Sequence, residues 1–138
     1  MATRNLSFTA TAAVGALTVI GTFPVGEQGG NRLCGVYIKN NGSTAFNAFQ
    51  VKMSCGKGPL TNILGGAAGT VNDYNGATGI TVPPAIVFRS AGAKVDPTLL
   101  GAGLDGILWL NTSGVDQVQI LISAATTVIP VIMEVSLS

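Results

Sequence analysis

The chain has 138 residues, of which 47% are hydrophobic and only 9% charged, with a formal net charge of +1. That length makes one domain, large enough to bury a core without staples. The near-neutral balance, with no stretch interleaving Arg or Lys with aromatics, excludes the basic nucleic-acid-binding classes. Soluble domains carry about 25% charged residues, so this surface is either hidden in an assembly or covered by uncharged polar residues. Thr, Ser, Asn and Gly are plentiful here, and both routes stay open.

In chain order, NLSFTATAA (5–13) alternates as a half-buried strand does. ALTVIGTFPV (16–25) follows as a second strand after Val14-Gly15. The stretch from Asn5 to Gly26 has no charge and is long enough to span a bilayer. Its texture is wrong for a span or a signal peptide: Thr9, Thr11, Thr18 and Thr22 punctuate it, Gly15 and Gly21 break it, and only Arg4 could serve as a basic n-region. No membrane association is therefore expected. LCGVYIK (33–39) is a third strand, with Cys34, Val36 and Ile38 on one face and Tyr37 and Lys39 on the other. Asn-Asn-Gly-Ser-Thr then gives a turn signal, because Asn and Gly tolerate positive φ. FNAFQVKMSC (46–55) is the fourth strand, with Phe49, Val51, Met53 and Cys55 pointing one way and Ala48, Gln50, Lys52 and Ser54 the other. The whole stretch 36–53 thus looks like a hairpin.

Residues 56–79 are Gly-rich, a long loop of the kind that often carries function, with room for one short strand or turn around Leu60–Leu64. ITVPPAIVFRS (80–90) returns to strand character, with Pro83-Pro84 forcing an edge or a kink. ILWLN (107–111), VDQVQILISA (115–124) and VIPVIMEVSLS (128–138) close the chain. Trp109, between Leu108 and Leu110, is expected in the core. Short runs separated by Gly, Asn and Pro turns predict a single all-β domain over 1–138, a β-sandwich of jelly-roll or immunoglobulin-like type with about eight strands. Residues 1–14 could extend from it as an N-terminal arm.

The chemistry-bearing motifs fail on their contexts. GAGLDG (101–106) matches G-x-G-x-x-G, but ILWLN follows it as a strand, where a dinucleotide site needs a helix N-terminus. MSCGKGP lacks the Ser or Thr after Lys57 that a phosphate loop requires. VNDYNG (71–76), aligned on Gly76 as a calcium loop, puts Val71 and Val82 where acidic ligands belong. The chain has no His and two Cys, which removes the usual general base, the Ser-His and Cys-His pairs, and a transition-metal ligand set. No cofactor and no enzymatic activity are expected. Cys34 and Cys55 lie on inward faces of successive predicted strands. They could bridge or pack as free thiols, and with no convincing signal peptide free thiols in a reducing cytoplasm are favoured.

The run I-K-N, N-G-S, F-Q-V resembles the middle of immunoglobulin-like sandwiches of bacterial adhesion and cell-surface repeats, where the turn only links core strands. The whole chain, in length, Thr/Ala/Gly/Val-rich strands, few charges and neutral loops, resembles small virion structural proteins of tailed bacteriophages, in particular capsid decoration or cement proteins. That resemblance implies a non-enzymatic subunit made in the host cytoplasm and located in the virion. It implies a symmetric homo-oligomer, a trimer foremost, clamping the major capsid protein or another virion protein. Candidate contact residues are Met1, Ala2, Thr3, Arg4, Asn5 and Leu6 at the N-terminus, and Leu60, Ile63, Leu64 and Tyr74 in the Gly-rich loop. The alternative is an adhesion or glycan-binding module on a fibre, tail or cell surface, for which Tyr74 and Trp109 are the relevant rings.

Overall fold

A computed structural model describes residues 4–25, 33–66, 86–95 and 97–138. Ten strands run through these residues: β1 (Arg4–Ala12), β2 (Thr18–Pro24), β3 (Leu33–Asn40), β4 (Phe46–Ser54), β5 (Thr61–Gly66), β6 (Ile86–Ser90), β7 (Ala93–Lys94), β8 (Asp105–Asn111), β9 (Gln117–Ala124) and β10 (Ile129–Leu137), with a 3₁₀ turn at Pro97–Leu99. The strands form where apolar residues recur at every second position, because successive side chains of a pleated strand point to opposite faces. β3 buries Cys34, Val36 and Ile38, β8 buries Leu108 and Leu110, and β10 buries Ile129, Val131, Met133, Val135 and Leu137.

The pairing is nested. β1 pairs with β10, β2 with β9, β3 with β8 and β4 with β5, all antiparallel. This long folded ribbon is wound so that β10 also pairs with β3, and β9 also with β4. Two sheets result, ordered β1-β10-β3-β8-β6-β7 and β2-β9-β4-β5. Eight strands wound this way make a jelly roll. The β6–β7 pair is an insertion between β5 and β8 that extends the larger sheet. Of the two sandwich types expected, the jelly roll forms. The inner faces enclose one core that includes Phe23, Phe49, Ile38, Leu108, Ile120 and Met133.

Two local expectations are corrected. The stretch 36–53 is not a hairpin: β3 lies in the six-stranded sheet and β4 in the four-stranded one, so Asn41–Ala45 arches between layers. The buried Asn40 side chain holds the arch. Its Nδ2 donates to the carbonyls of Thr44 and Leu100, each at 2.8 Å, and its Oδ1 accepts from the Gly42 N–H at 3.0 Å. Gly42 is needed for close approach rather than for positive φ, because a Cβ there would sit 2.9 Å from Ile129 Cγ2 and 3.2 Å from Ile129 Cα. The second correction concerns Cys55. β4 ends at Ser54, and Cys55 opens a tight turn closed by Gly58 N–H on its carbonyl at 2.9 Å, so its side chain is exposed. Cys34 is buried, and both thiols are free.

Residues 4–12, within the stretch expected as a possible arm, are β1, paired with β10 from Arg4↔Leu137 to Ala12↔Ile129. Within the Gly-rich stretch, residues 61–66 form β5 on β4; residues 67–79 lie outside the described ones.

Candidate functional site

GAGLDG has a structural role. Gly103, at φ +72°, donates its N–H to the Asn40 carbonyl at 2.8 Å, while Asn40 N–H donates to the Leu104 carbonyl at 2.9 Å. The glycine turn therefore clasps the cross-sheet arch. The next glycine, Gly106, lies under the Phe88 ring, where a Cβ would come within 2.3 Å of Phe88 Cζ.

Two surfaces among the described residues could meet a partner or ligand. The first is the edge of β1. It is one of the two terminal strands of the larger sheet, and among the described residues nothing pairs with its far side. After Arg4, whose Nη2 donates to the Pro24 carbonyl at 2.9 Å, its sequence NLSFTATA contains no charge, proline or glycine. Solitary proteins normally blunt such an edge with one of those devices or a bulge.

The second is a trough across the outer face of the six-stranded sheet. Register puts Asn5, Ser136, Gly35 and Trp109 in one row across β1, β10, β3 and β8. The next row is Ser7, Glu134, Tyr37 and Ile107. Gly35 is the floor, and a Cβ built on it meets nothing within 4 Å. Leu33, Tyr37 and Trp109 stand around it, and Asn5, Glu134, Ser136 and Ser138 bring polar groups. The depression measures about 540 Å³, and a second of about 290 Å³ lies towards Arg89 and Asp105, sharing Tyr37, Ile107 and Trp109. Tyr37 donates its phenol to Asp105 Oδ2 at 2.8 Å; that bond, then burial and the carboxylate's charge, raise the phenol's pKa above its ordinary value. Ser7 Oγ donates to Glu134 Oε2.

Trp109 corrects the sequence expectation. It is 47% exposed, and Leu33 and Ile107 beside it are 63% and 37% exposed. The signal was present in ILWLN: two leucines at 108 and 110 take the inward positions, so the strand period sends Trp109 outward. What no local pattern could show is that the residue opposite Trp109 is Gly35.

The expected contact residues divide. Arg4, Asn5 and Leu6 lie on β1, Leu6 packing partly against the core. Leu60 precedes β5, Ile63 packs against the core from β5, and Leu64 pairs with Val51. β1 and β5 lie at outer ends of different sheets, and β1 packs beside β2, so the structure does not bring the two sets together. Met1, Ala2, Thr3 and Tyr74 lie outside the described residues.

The fold thus defines an all-β jelly-roll sandwich. Its shape is similar to that of the SPBc2 prophage-derived protein YomS, with a TM-score of 0.53 and 14% identity over 100% of this chain and 96% of that one. A chain of infectious bursal disease virus, Gx strain, aligns with a TM-score of 0.26 and 8% identity over 99% of this chain and 40% of that one, too weakly to bear on fold or function. No family model matches the sequence, and no curated protein matches it significantly.

Proposed function

We propose that the protein is a non-enzymatic structural subunit of a bacteriophage virion, a capsid decoration or cement protein that stabilises the shell as a symmetric oligomer. The observation that carries this reading is the β1 edge, nine residues long, charged only at Arg4 and open on one side among the described residues. An unblunted edge of this length invites pairing with a strand of another chain. A closed ring of subunits would satisfy each edge and repeat the contact by symmetry. Two further features support it: the charge shortage of the whole chain, and the full-length similarity in shape to a prophage-derived protein.

The test is mass in solution by light scattering over a concentration series, with binding to purified phage shells followed by co-sedimentation. The wild type is expected to form a trimer or larger ring and to sediment with shells. Thr9→Lys with Thr11→Lys, both exposed on β1, charges the edge and is expected to return the chain to a monomer. A wild-type monomer at high concentration that ignores shells would overturn the proposal.

A further inference from the structure

We infer that the trough over Gly35 is a saccharide-binding site, taking the face of a neutral pyranose ring against Trp109 and its hydroxyls on the polar side chains of β1 and β10. The argument starts from the glycine. Gly inside a strand is unfavourable and marks a bulge, a bend or a close approach by something else. Gly21 and Gly106 have their reason within the fold, because a Cβ at either would collide with neighbouring side chains. Gly35 has no such reason. Its φ is not positive, it lies in regular register between Ser136 and Trp109, and the space above it is empty to 4 Å. The missing side chain makes room on the outside of the sheet.

The groups around that room select the occupant. Trp109 turns a large, rigid ring to the trough and carries one N–H donor, a combination suited to a ligand with one apolar face and a wet rim. The polar groups lie on the opposite side: the Asn5 amide, the hydroxyls of Ser136 and Ser138, and the Glu134 carboxylate. Ser7 occupies one Glu134 oxygen, which leaves the other to accept from a ligand hydroxyl. Among the described residues no cation lines this trough, so there an anionic ligand would meet Glu134 unopposed. A flat apolar partner would bury that carboxylate with one of its oxygens offered no donor, which is unfavourable. A neutral saccharide, with C–H groups on its ring faces and hydroxyls on its edge, leaves neither side unsatisfied. The volume, about 540 Å³, lies within the size range of small-ligand clefts.

Trp109 is the only tryptophan in the chain, so its emission reports on the trough directly. The experiment titrates the full chain with cellotriose, maltotriose, chitotriose and lactose up to high millimolar concentration. A saturable blue shift with at least one of them is expected. Gly35→Val fills the trough where the fold has space, so it is expected to keep the far-UV circular dichroism and melting of the wild type. It is expected to weaken binding roughly tenfold or more, as loss of a central contact does. Trp109→Ala, read by calorimetry with the same sugar, is expected to lose binding as well. No saturable response to any of the four sugars overturns the assignment, as does a folded Gly35→Val that binds like the wild type. A blue shift that follows protein concentration and ignores sugar overturns it too, and names a second copy as the occupant. The inference is independent of the assembly reading: a monomer that ignores shells and binds sugar refutes only that reading, and a ring that ignores sugar refutes only this one.

Discussion

Replacing Asn40 by Ala removes three hydrogen bonds at the point where the chain passes from one sheet to the other. The consequences differ by atom. Leu100 O keeps a partner, because Phe46 N–H also donates to it at 3.3 Å. Thr44 O and Gly42 N lose theirs, and both lie in a partly buried loop that water can reach. Each lost bond is then worth its net value of about 1 kcal/mol, so the sum is about 3 kcal/mol. For 138 residues with the usual unfolding entropy per residue, that lowers Tm by roughly 10 °C. Urea unfolding followed by circular dichroism would measure it directly. Asn40→Asp is the sharper control. Its carboxylate would face two carbonyl oxygens in a buried site, so burial and repulsion raise its folded pKa above the ordinary Asp value of about 3.9. A raised folded pKa means the neutral form is favoured by folding, so the variant is least impaired below about pH 4 and loses stability as pH rises towards the folded pKa. A cost below about 1 kcal/mol for Asn40→Ala, or an Asn40→Asp whose deficit is the same at low and neutral pH, would refute the role given to this side chain.

Two further outcomes follow from the core. Burial pushes the Cys34 thiol up to about 12 from its ordinary value of 9.0, so stability that depends on the neutral thiol is complete below pH 9 and lost as pH rises towards the folded value. Between pH 9 and 10.5 the wild type should lose up to about 2 kcal/mol more than Cys34→Ala, and a parallel decline of the two in urea titrations would count against it. Gly106→Ala drives a methyl into the Phe88 ring and within 2.9 Å of the Arg89 carbonyl. It should destabilise by about 1–3 kcal/mol in the same assay, whereas an unchanged urea midpoint would show that the Phe88 side of the sheet yields freely.

Much of the fold is legible in the sequence. The alternation of Cys34, Val36 and Ile38 against Tyr37 and Lys39 set the inward face of β3, and the structure buries those three. The same pattern in Phe49, Val51 and Met53 breaks down at Cys55, after which two successive positive-φ positions, Gly56 at φ +58° and Lys57 at φ +63°, turn the chain out of the strand. β7, two residues long, is too short to leave a periodic trace. Trp109 departs from the core place expected of a large apolar ring because the strand period around it, with Leu108 and Leu110 inward, turns it out.

The sequence by itself determined which segments extend and which face of each turns inward, because a pleated strand states its burial pattern locally, in every second side chain. It also determined the chemistry absent from the chain, since no His means no imidazole anywhere in the fold. Only the tertiary structure decided that β1 pairs with β10, that 36–53 spans two sheets, and that Gly35 lies opposite Trp109. Backbone hydrogen bonds are the same for every strand and carry no address. Which strands become neighbours is settled by packing both sheets over a single core, and the trough exists because that packing brought a missing side chain beside an outward-facing ring.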